Sequence, residues 1–156
     1  MYIEIDKFTY KGKNLKDILE DHKLWLSEPA GQETHERANL KWAYLKWANL
    51  KRANLKWAYL KWANLKWAYL KWANLKWANL EGVYLEGANL KWACVDFSCW
   101  PLWCGSKGVK VDKNIAAQLA AHFCVLDCDD PEYIKARDAI MEFAKTSHRA
   151  SDLGLI

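Results

Sequence analysis

The side chains best suited to chemistry in this sequence are lysines and tryptophans that recur in a repeat of five residues, here called a pentad. Between residues 38 and 97, lysine occupies the fourth position in nine of twelve pentads, and tryptophan occupies the fifth position in eight. Lysines attract phosphates and other anions, whereas tryptophans stack on bases or pack against apolar groups. The pattern therefore indicates a binding surface rather than a catalytic centre.

Cysteines and a histidine are the other candidate ligands. They form two groups in the sequence, namely Cys94, Cys99 and Cys104, and His122, Cys124 and Cys128. Members of the first group are one pentad apart, a spacing that points them in different directions in a regular coil, so they cannot share a metal ion. In the second group two cysteines lie four apart on one predicted helix face, but a zinc site needs about four ligands and no CxxC pair occurs. We interpret these residues as ordinary apolar cysteines and predict neither a metal nor another cofactor.

Twelve consecutive pentads position the lysines and tryptophans. From residue 38 they read ANLKW, AYLKW, ANLKR, ANLKW, AYLKW, ANLKW, AYLKW, ANLKW, ANLEG, VYLEG, ANLKW and ACVDF. Alanine holds the first position in every pentad except at Val83. The central residues are predicted to form the structural core: Leu40, Leu45, Leu50, Leu55, Leu60, Leu65, Leu70, Leu75, Leu80, Leu85, Leu90 and Val95.

A period of five fits neither standard secondary structure. In an α-helix one pentad rotates by about 140°, so the leucines would spread around the axis. In a flat strand an odd step sends successive leucines to opposite faces. The backbone must therefore turn once per pentad, and stacked coils then bury a continuous column.

These residues resemble the pentapeptide-repeat family, whose motif is a small residue, Asn or Asp, Leu and two variable residues. The resemblance covers residues 38–97 and implies a mainly β fold, a right-handed quadrilateral β-helix of about three coils with four pentads in each. Leucine and alanine then point inward. One departure is that tyrosine or cysteine replaces the small polar residue of the motif at Tyr44, Tyr59, Tyr69, Tyr84 and Cys94.

The tyrosines are consistent with a coil of four pentads. Equivalent residues four pentads apart would then stack, and no tyrosine of the repeat would lie above another. A coil of three pentads would place Tyr44 over Tyr59, and a coil of five would place Tyr44 over Tyr69. Bulky rings that alternate with small amides suit the close spacing of coils, so we expect a register of four pentads per coil.

Residues 1–37 are predicted to cap one end of the column, which would otherwise expose unpaired backbone and core. Residues 2–10 alternate apolar and charged side chains, which predicts a short strand or hairpin. Asn14 is a suitable N-cap for a helix over residues 15–26, with an apolar stripe that includes Leu15 and Ile18. An entry loop from Pro29 to Arg37 leads into the repeat.

Residues 98–156 are predicted to cap the other end. We interpret Trp100, Leu102 and Trp103 as a plug, with Pro101 and Gly105 ending the repeat. Two helices follow, one over residues 112–126 and one that begins with Asp130 as cap and Pro131 in its first turn. Both ends of the chain also resemble the terminal segments of phage-associated and clostridial pentapeptide-repeat proteins.

The charge is concentrated in the repeat. Residues 38–97 carry ten basic and three acidic side chains, whereas residues 1–37 carry six and eight and residues 98–156 carry seven and eight. In the four-pentad register, three of the four lysine columns end in an acid. The wholly basic column lies beside an arginine and two tryptophans, and we call this candidate interaction face the third face: Lys51, Arg52, Lys71, Trp72, Lys91 and Trp92.

Three functional hypotheses remain open at this point. The first is a scaffold that binds a protein, or a second copy of itself, through an aromatic face or the caps. The second is binding of nucleic acid or another polyanion through the lysine and tryptophan columns. The third follows from the family resemblance, because some members mimic DNA and protect topoisomerases; a short, basic solenoid does not suit that role.

Catalysis and membrane association are not expected. The sequence contains no glycine-rich phosphate loop, GxSxG or HExxH motif,. We interpret His22, His35 and His148 as isolated residues in polar surroundings, and a convex solenoid lacks the concave pocket that most enzymes need. An odd number of cysteines, no basic and apolar leader and no run of about 18 apolar residues predict a cytoplasmic protein.

Overall fold

The computed structural model describes residues 2–100 and 106–156. The chain divides into two compact units, Met1–Lys110 and Val111–Ile156. The sequence predicted three segments, with boundaries at residues 37/38 and 97/98. Those boundaries follow the ends of the pentads, because the sequence gives no sign that residues outside the pentads pair with the coils. Leu102 and Trp103 of the predicted plug, and the predicted repeat-ending Pro101 and Gly105, lie outside the described residues; Trp100 is half-buried.

The backbone of the pentads is paired between residues four pentads apart. Parallel bridges join Asn39 to Tyr59, Tyr59 to Asn79 and Asn74 to Cys94, and the intervening pentads repeat this pattern. The amides of the central leucines from Leu40 to Leu75 donate to carbonyls one coil further along, as Leu40 N does to Tyr59 O at 2.8 Å. Four pentads therefore complete one turn of the chain, in the register indicated by the tyrosine positions.

Each pentad contains a tight turn with its fifth residue in the left-handed region. Leu40 O accepts from Ala43 N at 3.1 Å, and Trp42 has φ of 65°. A positive φ at the third residue of such a turn is the geometry of a type II turn, which favours glycine. A side chain in this conformation costs about 1–2 kcal/mol. The repeat accepts that cost at ten of its twelve turns, and only Gly82 and Gly87 avoid it.

The interior of the column is formed by the first and third positions. Each central leucine is 0–1% exposed and Val95 is 7% exposed. The first-position residues are buried as well, except for Ala53, which is half-buried. Each second-position asparagine accepts a hydrogen bond from the backbone amide two residues further on, as Asn74 Oδ1 does from Lys76 N at 3.0 Å. This hydrogen bond explains why the motif prefers asparagine there.

The N-terminal segment pairs directly with the first coil. Ile3 N donates to Trp47 O at 2.8 Å, and Asn49 N donates to Ile3 O at 2.7 Å. Tyr2 stacks on Tyr69, with 4.6 Å between ring centroids. Residues 2–10 are therefore not one strand or hairpin as predicted. Ile3 pairs with the first coil, and a 3-10 helix and a short strand follow.

A short helix and a hairpin lead into the first α-helix. They are a 3-10 helix at Ile5–Lys7, strands β1 Thr9–Tyr10 and β2 Lys13–Asn14, and helix α1 Leu15–Trp25. Lys11 and Gly12 have φ of 50° and 78° and connect the strands, as a type I′ turn requires,. Asn14 Oδ1 accepts from Lys16 N at 2.8 Å, so the helix begins at the predicted cap and ends one residue early.

His22 is buried under the first coil, and the prediction of polar surroundings is wrong. Its Nδ1 accepts from Ala38 N at 3.1 Å, and its ring stacks on Trp25 at 5.5 Å. Burial lowers the pKa of His22. The spacing of four and seven positions from Ile18 and Leu15 places His22 on the buried face of α1, which was the available sequence signal,.

Pairing along the column continues beyond the last pentad. Leu80 N donates to Cys99 Sγ at 3.2 Å, in place of the carbonyl that other leucines use. Gly87 N donates to Lys107 O, and Lys110 forms a parallel bridge with Asn89 where the four-pentad register would place residue 109. Backbone pairing along the column thus continues beyond Pro101 and Gly105, where the repeat was predicted to end, because residues 107–110 pair with the last coil in a register shifted by one position.

The second unit is built from two helices, α2 Lys113–Cys124 and α3 Pro131–Ala144. Asp130 caps α3, as predicted, and Asp112, which was predicted to be the first residue of its helix, caps α2. Each aspartate accepts from two backbone amides of the first turn. The helices pack through Ala121, Cys124 and Ala144. The first helix ends at Cys124, short of the predicted residue 126, and Leu126 is exposed rather than part of its apolar face. In the described part of the chain, no helix is both long and apolar enough to cross a membrane.

Candidate interaction surface

The fifth-position rings form stacked columns on the outside of the coils. The stacked pairs, with their centroid distances, are Trp42–Trp62 at 5.5 Å, Trp47–Trp67 at 5.5 Å, Trp57–Trp77 at 4.9 Å, Trp72–Trp92 at 5.1 Å and Trp77–Phe97 at 4.1 Å. The rings are nearly parallel because each extends from the same turn one coil further along. These distances lie in or close to the range for offset stacking.

Two of the aromatic columns end on glycine. A Cβ added to Gly82 would lie 2.4 Å from Cε3 of Trp62, and one added to Gly87 would lie 2.3 Å from Cε3 of Trp67. The two indoles therefore cover the backbone of the glycines below them. With the rings in this position, the fifth residue of these two pentads must be glycine.

In two lysine columns, the glutamate of one of these glycine-containing pentads forms an ion pair with a lysine. Lys61 Nζ lies 2.7 Å from Glu81 Oε1, and Lys66 Nζ lies 2.7 Å from Glu86 Oε2. The hydrogen bond and charge of Lys66 lower the pKa of Glu86. The stacking register thus places each of these acids directly against a lysine of the coil above.

The third face has a different electrostatic character. Lys71 Nζ lies 4.5 Å from the Trp72 ring centroid and 4.3 Å from that of Trp92. Lys51 Nζ and Arg52 Cζ lie 5.4 Å and 5.6 Å from the Trp72 ring. Among the described residues, no carboxylate forms an ion pair with Lys51, Lys71 or Lys91. Lys51, Arg52 and Lys71 are held over ring faces instead,.

The six predicted residues of the third face lie together on the column. Five of them are joined by the ring and cation contacts, and Lys91 continues the lysine column through the hydrogen bond from Trp72 N to Lys91 O at 3.2 Å. Trp72 is 41% exposed and Trp92 is 49% exposed. In register, Arg52 precedes Trp72 and Trp92 follows it, so both faces of the Trp72 ring are covered and its edge faces the solvent.

A cleft beside the third face was not predicted. It has a volume of about 250 Å³ and lies where α1 passes the first coil. Its lining residues are Ile5, Lys16, Leu19, Glu20, Lys23, Asn49, Leu50, Lys51 and Ala53. Lys51 belongs to both the cleft and the third face, so the two are continuous. The available sequence signal was weak: Lys16, Leu19, Glu20 and Lys23 have the spacing of one helix face.

A carboxylate–histidine cluster in the entry loop was also missed by sequence reasoning. Glu28 accepts from the backbone amides of Thr34 and His35, from Thr34 Oγ1, and from His35 Nδ1 at 2.7 Å. These hydrogen bonds lower the pKa of Glu28 to about 2,. These contacts join the two ends of the loop, so we assign the cluster a structural role.

The cysteines are dispersed. Cys94 is half-buried and Cys99 is exposed, whereas Cys104 lies outside the described residues. Cys124 is buried, and burial raises its pKa, while His122 and Cys128 are exposed. Within residues 2–100 and 106–156, no three His, Cys, Asp or Glu side chains are grouped as metal ligands.

Comparison with known proteins identifies the repeat. The family model for pentapeptide repeats matches residues 38–76 and 63–96 in eight copies. Residues 38–96 are therefore pentapeptide repeats, and their fold is the right-handed β-helix solenoid of that family. A search of curated proteins gives no match. The likeness of the termini to phage-associated and clostridial members stays a prediction.

Three solved structures are similar to parts of the chain. The pentapeptide repeat protein Rfr23 from the cyanobacterium Cyanothece 51142 is 36% identical over 49% of this chain and 51% of its own, with a TM-score of 0.34. HetL from Nostoc, a protein involved in heterocyst differentiation regulation, is 26% identical over 48% and 39%, with a TM-score of 0.23. A pentapeptide repeat protein of the Arabidopsis thaliana thylakoid lumen is 21% identical over 74% and 79%, with a TM-score of 0.20. The chain thus spans about half the length of Rfr23 and less of HetL.

Proposed function

We propose that this chain is a non-catalytic scaffold that binds a protein partner through its third face. In this proposal the pentads form a four-sided column of about three coils. The N-terminal hairpin and α1 cap one end, and residues 98–156 cap the other. Pentapeptide-repeat proteins are generally structural rather than catalytic, which supports the first part of the proposal.

The observation that carries the proposal is the exposure of rings that are already held in place. Trp72 and Trp92 are 41% and 49% exposed, yet each is fixed by stacking at 5.1 Å and by the Lys71 ammonium. Binding to such rings costs little side-chain entropy. Tryptophan and arginine are also the residues most often found at binding hot spots.

The polyanion hypothesis receives less support from the same contacts. Nucleic-acid bases bind aromatic side chains through ring faces. Both faces of Trp72 are covered in the column, which leaves only its edge for a ligand.

Four of the cysteines are free thiols, which is consistent with a reducing cytoplasm as the site of action,.

The experiment compares two pairs of substitutions in the full chain. Trp72→Gly with Trp92→Gly removes rings from the third face, while Trp47→Gly with Trp67→Gly removes the same number from another face. Glycine occupies the fifth position naturally at residues 82 and 87, so neither pair strains the turns. The tagged chain is cross-linked in its host cells, and the partner recovered in near-stoichiometric amount is purified and titrated.

We expect the third-face pair to weaken binding of that partner at least about tenfold. The other pair should leave the dissociation constant nearly unchanged, and thermal melts should verify that both variants remain folded. Equal losses in the two variants, or no partner recovered by the wild-type chain, would refute the proposal.

A further inference from the structure

The third face and the cleft beside α1 form one continuous surface, because Lys51 belongs to both. We propose that this surface binds an extended acidic protein segment that inserts one aliphatic side chain into the cleft. The inference rests on the proposed scaffold function and specifies the chemistry of the partner.

The charge of the surface selects an acidic segment. Its six cations are Lys16, Lys23, Lys51, Arg52, Lys71 and Lys91. Two carboxylates lie at its edge, Glu20 in the cleft and Glu4, which accepts from Asn49 Nδ2 at 2.9 Å. Of the two neighbouring lysine columns, one pairs Lys66 with Glu86 at 2.7 Å and the other ends in Asp96. A partner carboxylate therefore finds lysines on the third face that form no ion pair among the described residues.

The cleft selects an aliphatic anchor. Ile5, Leu19, Leu50 and Ala53 provide apolar walls, and Ala53 is the one first-position residue of the repeat that is not buried. A volume of about 250 Å³ is below the usual range of roughly 300–1,000 Å³ for small-molecule and cofactor pockets,. It suits a single side chain supplied by a longer ligand.

The spacing of the column defines how such a segment would lie. Paired coils are about 4.8 Å apart, so Lys51 and Lys91 are separated by about 10 Å along the column. An extended chain covers this distance in about three residues, and its alternate side chains face the same way. The segment should therefore carry acidic residues at alternate positions, next to the aliphatic residue held in the cleft.

The ring contacts favour a peptide over a nucleic acid. Trp72 is covered by Arg52 on one side and Trp92 on the other, so bases have no free face to stack on at this ring. The exposed indole edge carries the positive end of the ring quadrupole and adds to the attraction for carboxylates. A polynucleotide would gain only the salt-dependent attraction between its phosphates and the lysines.

The test begins with selection of ligands from a random peptide display library by the full chain. We expect the enriched peptides to contain alternating Asp or Glu residues beside one Leu, Ile or Val. A synthetic peptide of the enriched sequence, labelled with a fluorophore, is then titrated by anisotropy. A single-stranded oligonucleotide of equal charge is titrated in parallel, and both titrations are repeated with two sets of variants.

The first set tests the lysines with two triple variants of equal net charge. Lys51→Gln, Lys71→Gln and Lys91→Gln together should weaken peptide binding at least about tenfold. Lys41→Gln, Lys46→Gln and Lys56→Gln together, which lie on the other faces of the first coil, should change it less than about threefold. The oligonucleotide should bind more weakly than the peptide and lose affinity equally in both triple variants.

The second set tests the anchor. Leu19→Ala in the cleft should weaken the peptide severalfold, whereas Leu24→Ala, on an exposed part of α1, should not. Selection of peptides without acidic residues, equal losses in the two lysine triples, or tighter and third-face-dependent binding of the oligonucleotide would overturn the inference. If the cellular partner still binds through Trp72 and Trp92 in that case, the scaffold function stands and only the acidic-segment inference fails.

Discussion

The indole of Trp62 lies against the backbone of Gly82, so closely that a Cβ on the glycine would be 2.4 Å from the ring. Gly82 also has φ of 65°, the value adopted by tryptophan at the equivalent positions of other pentads. The glycine is thus required by the ring above it more than by the turn.

Gly82→Ala should destabilise unit Met1–Lys110 by more than the turn conformation alone explains. We expect a loss of about 2–4 kcal/mol, of which about 1–2 kcal/mol comes from a side chain in the left-handed region and the rest from displacement of Trp62. Gly108→Ala is the matched control, since Gly108 has φ of 69° and its nearest neighbour would be 3.9 Å away. Urea unfolding measures both. Equal losses in the two variants would show that the indole moves aside without cost.

Leu65→Ala should open a cavity in the middle of the column. Leu65 is fully buried, with coils paired above and below it. Truncation of such a leucine typically costs about 2–5 kcal/mol. Val95→Ala, at a position that is 7% exposed near the end of the column, should cost less. A loss below about 1 kcal/mol for Leu65→Ala would mean that the core collapses around the missing side chain.

The stability of the N-terminal segment should fall in mild acid because of His22. Burial lowers the pKa of His22 in the folded chain. The Lys56 carbonyl and the charge of Asp21 act in the opposite direction, whereas the charge of Arg37 lowers the pKa further. The unfolded chain then binds a proton below about pH 6.5 that the folded chain excludes, so stability is full above that pH and falls as the pH drops. The slope cannot exceed about 1.4 kcal/mol per pH unit for one proton.

Urea unfolding at neutral and at lower pH measures this dependence, with His22→Phe as the test and His122→Gln as control. His122 is exposed in the other unit. The His22 variant should lose the acid-dependent part, whereas the control should retain it. An identical pH profile in His22→Phe and the wild type would assign the effect to other groups.

Removal of residues 107–156 should cause aggregation, and removal of residues 111–156 should cause less. Residues 107–110 pair with Gly87, Ala88 and Leu90, so the longer deletion leaves these backbone groups as an open edge. Open edges pair with other chains. Light scattering and size-exclusion chromatography of the two truncations compare them. A monomeric, cooperatively folding 1–106 fragment would contradict the prediction.

The features that follow from strict periodicity were predictable from the sequence. Burial of Leu40 to Leu90 and the four-pentad register depend only on a repeat that every pentad obeys. His22 and the cleft at Ala53 were not predictable in the same way, because both depend on how α1 lies over the first coil. The pairing of Lys110 with Asn89 was not predictable, because it departs from the four-pentad spacing and because Lys110 follows Pro101 and Gly105. The end of α2 at Cys124, before two apolar residues, also required the structure.

The bridging register has an evolutionary consequence. Deletion of one pentad between residues 61 and 80 would move Tyr84 beneath Tyr59 and Gly82 beneath Trp57, and it would carry both glutamates to other lysine columns. Insertion of one pentad would shift every later column by one face in the opposite direction. Genes of this type should therefore gain or lose length by whole coils, with recombination between segments that each encode four pentads. Single-pentad changes in length should survive only at the ends of the array, where no stacked column lies beyond them.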